Sequence, residues 1–305
     1  MRIRQLGMVL SFVGLMGVLV AGCGQGTSGG HAADENKAGQ DTTAQGGAGD
    51  QTVHIGYVNW AEDVAVSNLW KAILEDKGYQ VQLTALDAGP LFVGLSQGGL
   101  DVFLDTWLPY THKNYMDRYG SQLEDLGQWY QGQAKIGLVV PKSVDVSSID
   151  QLNAHASEFH GQIVGIDAGA GEMQVAKKAL DAYGLKLNLV SGSEASMLSA
   201  LQRAETNHQP IVVTLWSPHW AFAKWDLKYL DDPKGIFGKA EEIHAEANKQ
   251  WAQSHPELVK WFSNFKLTDQ QLGELEMDVN QSDDKLAGAR KWMEDHRDLV
   301  NQWPS

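Results

Sequence analysis

Leu104-Asp105-Thr106-Trp107-Leu108-Pro109-Tyr110-Thr111-His112-Lys113-Asn114-Tyr115 reads as the end of a strand, a turn and the start of a helix. The same order of strand, loop and helix occurs upstream. Residues 53–58 form a short β run, followed by Asn59-Trp60-Ala61-Glu62-Asp63 and a helix with Val64, Leu69, Ala72 and Ile73 on one face, stopped at Gly78. Residues 81–86 are the next strand, Pro90 opens a helix, and residues 102–107 are the third strand. This βαβαβ rhythm implies a parallel sheet flanked by helices. The loops after its strands lie along one edge, where open α/β sheets bind ligands, so Trp60 and Trp107 share one mouth. Trp107 and His112 fall together there. An indole face suits a cation and an imidazole N–H suits an anion, so the pair fits a zwitterion.

Downstream, residues 135–140 read as a strand ended by Pro141, and the chain is expected to cross to a second lobe there. Residues 163–167 are a strand, residues 168–171 a tight turn, and residues 172–183 a helix closed by Gly184. Residues 187–190 are another strand, and Ser193 caps a helix carrying Met197, Leu198 and Leu201. Residues 210–216 are a buried strand that ends on Trp216. The chain recrosses near residues 241–246 and closes with helices around 256–265, 268–279 and 283–303, the middle one opened by Thr268 and Gln271 in capping-box spacing. The expected organisation is two α/β lobes, 53–140 plus 241–305 and 141–240, with a cleft between them.

The N-terminus is set apart. Arg2 and Arg4 precede an apolar run, residues 7–20, too short to span a bilayer comfortably, so residues 1–22 read as a signal peptide. Val20-Ala21-Gly22-Cys23 resembles the bacterial lipoprotein signal, in which the cysteine becomes the lipidated first residue. Its loss deletes Arg2 and Arg4 and no acid, taking the formal charge from −14 to −16. Residues 23–52, rich in Gly, Ala, Asp, Thr and Gln without apolar periodicity, read as a flexible tether. With 24 basic against 38 acidic residues, no basic face can dominate, which argues against a nucleic-acid binder. A single cysteine excludes a disulfide scaffold and a Cys-rich metal site.

Eleven tryptophans are the compositional oddity. Trp60, Trp107 and Trp216 each close an expected strand, two in one lobe and one in the other. Three indoles around one point can enclose a quaternary ammonium, each face contributing about 0.5 to 2 kcal/mol, without a carboxylate. Trp70, Trp225, Trp251, Trp261, Trp292 and Trp303 are expected to pack in the core, while Trp129 and Trp220 are undecided. The turn Gly169-Ala170-Gly171 before a helix is a ready anion site, with the backbone amides of Gly171 and Glu172 as its donors. His112 could donate to the same anion across the cleft. The dinucleotide fingerprint needs glycine at position 174, where Gln174 stands, so no nucleotide cofactor is expected. Gly94-Leu95-Ser96-Gln97-Gly98 matches a nucleophile elbow but falls late in a helix, and His155 and His160 have the wrong spacing for zinc. The acidic pair Asp231-Asp232 reads as a solvated turn.

The chain resembles the extracellular substrate-binding proteins of ABC importers for glycine betaine and related compatible solutes. The resemblance covers roughly residues 53–303. It rests on Tyr-Val-Asn-Trp-Ala-Glu-Asp at 57–63, Ala-Gly-Pro at 88–90, Trp-Leu-Pro-Tyr-Thr-His at 107–112, Gly-Ile-Asp-Ala-Gly-Ala-Gly at 165–171, Trp-Ser-Pro-His-Trp at 216–220 and Lys-Tyr-Leu-Asp-Asp-Pro at 228–233. It implies a type II periplasmic-binding-protein fold whose two lobes close over ligand at a hinge, then dock on a membrane permease from the extracytoplasmic side. It further implies an aromatic cage of Trp60, Trp107 and Trp216, with the ligand carboxylate held by the Gly171 and Glu172 amides and by His112. The family commonly carries a small apolar residue where Glu172 stands, and a carboxylate facing a bound carboxylate would repel it unless its side chain turned to solvent. Choline, which keeps the cation but lacks the carboxylate, is the main alternative ligand, and carnitine, proline betaine and sulfonium analogues are not separated by sequence. A sensor domain or a secreted hydrolase are the readings from other classes, but no paired acid and base of the hydrolase kind is found among the motifs, so no enzyme is expected.

Overall fold

The computed structural model describes residues 52–305. The signal peptide, Cys23 and nearly all of the expected tether lie outside the described residues. The chain runs β1 (Thr52–Tyr57), α1 (Ala61–Asp76), β2 (Gln80–Ala85), α2 (Ala88–Gln97), β3 (Val102–Leu108), α3 (Lys113–Tyr119), β4 (Leu123–Gln128) and β5 (Lys135–Pro141). It continues through β6 (Gln162–Val164), α4 (Gly171–Tyr183), β7 (Asn188–Val190), α5 (Glu194–Asn207), β8 (Val213–Ser217), α6 (Ala221–Lys224), β9 (Leu227–Tyr229) and β10 (Glu242–Asn248). Helices α7 (Lys249–Ser254), α8 (Pro256–Asn264), α9 (Asp269–Gln281), α10 (Lys285–Asp295) and α11 (Arg297–Val300) close it. Among the described residues, no helix is long and apolar enough to cross a membrane.

Two five-stranded sheets form, in the orders β2-β1-β3-β10-β4 and β7-β6-β8-β5-β9. The first three strands of each are parallel, as the βαβ rhythm requires. The fourth, β10 or β5, is antiparallel to both of its neighbours, so each sheet is mixed rather than wholly parallel. These two strands are also where the chain changes lobes: β5 follows β4 of the first sheet, and β10 follows β9 of the second. The strand at residues 135–140, expected to finish the first lobe, therefore belongs to the second, and the crossing precedes Lys135 instead of following Val140. A buried apolar strand looks the same whichever sheet receives it, so its pattern holds no information about its partner. The two crossings lie side by side. The Glu241 N–H donates to the Ala134 carbonyl at 2.7 Å and the Ala134 N–H returns to Glu241 at 3.2 Å, which makes this pair the connection between lobes.

The helix punctuation follows local chemistry. Gly184 caps α4 in the left-handed region at φ 60°, where a Cβ would be strained, and Ser193 opens α5 by accepting from the Ser196 amide. Thr268 and Gln271 exchange both capping-box bonds at the start of α9, at 3.3 and 2.9 Å. Thr268→Ala is expected to cost about 1 kcal/mol of stability in urea denaturation, and an unchanged midpoint would contradict that cap. The single helix expected over 283–303 breaks at His296, whose φ of −119° leaves the helical region with no glycine or proline to announce it. Trp70, Trp129 and Trp292 are wholly buried, with Trp70 4.1 Å from Phe262, so Trp129 belongs to the core. Trp220 and Trp225 are only half-buried, 5.6 Å apart, with the Lys224 ammonium over both rings.

Candidate functional site

Trp60 sits just beyond β1 at the N-cap of α1, Trp107 is near the end of β3, and Trp216 is near the end of β8. All three stand at the carboxyl-end mouth of their sheets, and they line one cavity with His112, Gly171 and Glu172. The structure thus brings together every ligand-binding residue named from the sequence. The Trp60 and Trp216 rings meet at 62° with centroids 6.4 Å apart, and Trp60 stacks on His112 at 5.9 Å. Ile136, Ile166, Ala170 and Thr111 also line it, together with Glu62, and no Lys or Arg is among the lining residues.

Two of these indoles are held by buried carboxyl groups. The Trp107 Nε1–H donates to Asp105 at 2.8 Å within one lobe, and the Trp216 Nε1–H donates to Glu62 at 2.8 Å across the cleft. Each bond holds its indole by the ring edge and adds partial negative charge near the cavity, which favours a cation there. Burial, with Asp105, Glu276 and Glu194 close by, pushes the Glu62 carboxyl well above its usual range. Burial also raises Asp105 to about 7 and Glu276 to about 8, so this acidic cluster retains protons near neutrality. Glu194 is itself tied down, accepting from the Ala61 amide at 3.0 Å and lying 3.2 Å from His219 Nε2. Among the described residues no acidic, His or Cys cluster has the arrangement of a metal site.

The same cavity also offers donors. Helix α4 begins at Gly171 with no side chain capping its first turn, so its leading amides remain open to an anion. His112 is fully buried, and its Nδ1 accepts from the Trp107 amide at 2.9 Å. That bond places the imidazole proton on Nε2, which is buried without a protein partner in the cavity wall. Burial drives the His112 pKa down to about 3, so the ring is a neutral donor, not a cation. Glu172 does not turn to solvent. Its side chain is buried, Oε1 accepts from the Gly137 amide at 3.3 Å, and Oε2 is buried without a partner. Burial raises this carboxyl to about 8, so it holds a proton at neutral pH and does not repel an anion.

The lobes are closed on one another. Tyr115 donates to the Gly169 carbonyl at 2.7 Å, Asn114 to Gln174, and Trp216 to Glu62 as above. A Cβ built on Gly171 would lie 2.2 Å from the Thr111 carbonyl oxygen, so only glycine permits this approach. Thr111 is held in turn, its amide and that of Tyr110 each donating to Glu241 at 2.8 Å. The sequence reading missed Glu62, Asp105, Glu194 and Glu241 as parts of the site. Glu62 stood in a quoted motif, but nothing local distinguishes an acid that will accept an indole N–H from a solvated one. Ser96 spends its hydroxyl on the Val93 carbonyl inside α2, and His155 pairs with Glu158. Asp232 is not simply solvated: it accepts from the Phe237 amide at 2.7 Å and from Tyr183 at the end of α4.

Residues 51–295 match the substrate binding domain of the ABC-type glycine betaine transport system, and the chain belongs to that family. The glycine betaine/carnitine transport binding protein GbuC of Listeria monocytogenes is 41% identical over 144 residues, 46% of this chain and 48% of that protein. The chain thus spans about half the length of that relative. Lactococcal OpuAC, in a closed-liganded conformation with glycine betaine, superposes with TM-score 0.79 at 35% identity, covering 84% of this chain and all of that one. ProX of Borrelia burgdorferi gives 0.79 at 31%, covering 83% and 96%. A choline binding protein with choline gives 0.77 at 25%, covering 83% and 91%. The fold is therefore the two-lobed binding-protein fold, as the resemblance implied.

Proposed function

We propose that this chain captures glycine betaine or a related betaine and delivers it to the permease of an ABC importer. One observation carries the reading: three indole faces, an unpaired His112 Nε2–H and the open amides of α4 all front one cavity without a basic side chain. Trp60, Trp107 and Trp216 take the trimethylammonium group, and His112 with the Gly171 and Glu172 amides takes the carboxylate. Ligand joins the two lobes, so the closed state is selected by the contacts that only it offers. Capture and release involve no covalent step. A lipid on Cys23 holds the protein at the outer face of the membrane, with residues 24–52 as its tether.

A thermal-shift panel of glycine betaine, carnitine, choline and ectoine tests this. A ligand at 100 times its Kd stabilises by about 2.7 kcal/mol, and no shift with any quaternary ammonium compound would overturn the reading. Choline is the second reading, favoured by the choline binder among the similar structures. A sensor domain would bind the same ligands but leave permease ATPase activity in proteoliposomes unchanged.

A further inference from the structure

We propose that Glu172 is a specificity-determining residue: its protonated carboxyl group donates a hydrogen bond to the ligand's carboxylate, and loss of that proton turns the site from zwitterions toward cations that lack a carboxylate. The proposal rests on the betaine reading of the cavity. Its starting point is a buried carboxyl with one oxygen engaged and one free. Glu172 Oε1 accepts the Gly137 N–H of β5 and the Leu215 amide of β8 also faces the carboxyl group, while Oε2 is buried without a hydrogen-bond partner in a residue that lines the cavity beside the α4 amides. A buried, unpaired carboxyl oxygen is costly unless something supplies a partner. A carboxylate ligand at the start of α4 supplies an acceptor for an O–H, and a carboxylic acid is the one form of glutamate that can donate.

The surroundings favour that form. From the segment before β10, Glu241 adds negative charge, and from β9 the Tyr229 hydroxyl lies near enough for its own titration to be raised by Glu172. His112, ahead of α3, is held neutral by burial. Lys135 lies 4.3 Å over the Tyr229 ring but does not line the cavity, so no cation there offsets an ionised Glu172. The group's pKa in the closed protein is raised to about 8 from an ordinary 4.5, so the bonded form is complete below 8 and is lost as pH rises through it. A quaternary betaine does not titrate in that range.

Titration calorimetry with glycine betaine and choline at pH 6.5 and 9.5 tests the assignment in the wild-type chain, Glu172→Gln and Glu172→Ala. If only the protonated form holds a carboxylate, wild-type betaine affinity falls about thirtyfold between the two pH values while choline affinity does not fall with it. Ionisation of Glu62, Asp105 and Glu276 affects both ligands alike and cancels in the betaine-to-choline ratio. Glu172→Gln donates through its amide and cannot ionise, so its ratio stays within about threefold across pH, which also shows that the protein survives pH 9.5. Glu172→Ala is expected to lose about tenfold in betaine affinity at pH 6.5 and to have a flat ratio. A wild-type ratio constant with pH, or the same drift in Glu172→Gln, would overturn the role of Glu172 while leaving the betaine reading intact. Binding of neither ligand at pH 6.5 would overturn both.

Discussion

Trp216→Ala is expected to weaken glycine betaine binding by two to three orders of magnitude. Three losses combine at this one position. The cage loses an aromatic face, worth about 0.5 to 2 kcal/mol toward a desolvated cation. Glu62 loses the 2.8 Å indole donor that reaches it across the cleft, leaving a buried acceptor unpaired at a cost of about 1 to 3 kcal/mol. The closed state also loses one of the bonds that join its lobes. A combined loss of about 3 to 4 kcal/mol corresponds to the stated range, since each 1.4 kcal/mol is tenfold. Trp216→Phe keeps a ring face but not the N–H, and its expected weakening of about tenfold isolates the bond to Glu62. Trp107→Ala should fall between the two, because its indole N–H donates within its own lobe to Asp105 and breaks no interlobe bond. Calorimetric titration at neutral pH reads all three. Betaine affinity within threefold of wild type for Trp216→Ala would remove that residue from the cage.

Gly171→Ala is expected to cost about a hundredfold in affinity while leaving the fold at least as stable. The added methyl would meet the Thr111 carbonyl at 2.2 Å and its Cγ2 at 2.7 Å. Backbone cannot yield as a side-chain tip can, and this backbone is pinned by the Glu241 carboxylate. Overpacking of this kind costs about 1 to 3 kcal/mol, and here it falls on closure because the two backbones belong to different lobes. Within its own lobe the substitution is benign: Gly171 is the first residue of α4, where alanine is favoured over glycine by up to about 1 kcal/mol. Small-angle scattering should therefore show reduced compaction on adding betaine, with an unliganded melting temperature equal to or above that of the wild type. Normal compaction and affinity would mean that this contact does not limit closure.

Much of the architecture was legible because it is written locally. Strand and helix lengths follow from apolar periodicity, and Ser193, Thr268 and Gly184 announce helix ends through caps that depend on residues three or four positions away. The placement of Trp60, Trp107 and Trp216 at strand ends was legible for the same reason, since position within a βα unit determines which edge of the sheet a residue reaches. His112, Gly171 and Glu172 were found through a turn and a helix start, both short-range signals.

What stayed hidden depends on neighbours distant in sequence. Residues 135–141 carry an apolar strand pattern that fits either sheet, and only pairing with β8 and β9, 74 to 90 positions later, assigns it to the second. The acids that hold the indoles were unreadable, because Glu62 meets Trp216 across 154 residues of chain. Protonation was hidden too. Glu172 carries its proton and His112 lacks a charge because the side chains packed around them exclude water, and desolvation is a property of the folded chain rather than of any local pattern. The sequence by itself determined which residues would stand at the mouth between the lobes. The tertiary structure alone decided which of them are charged, which way their donors point and how close the lobes come, because those depend on what is packed around each group after the chain has crossed twice.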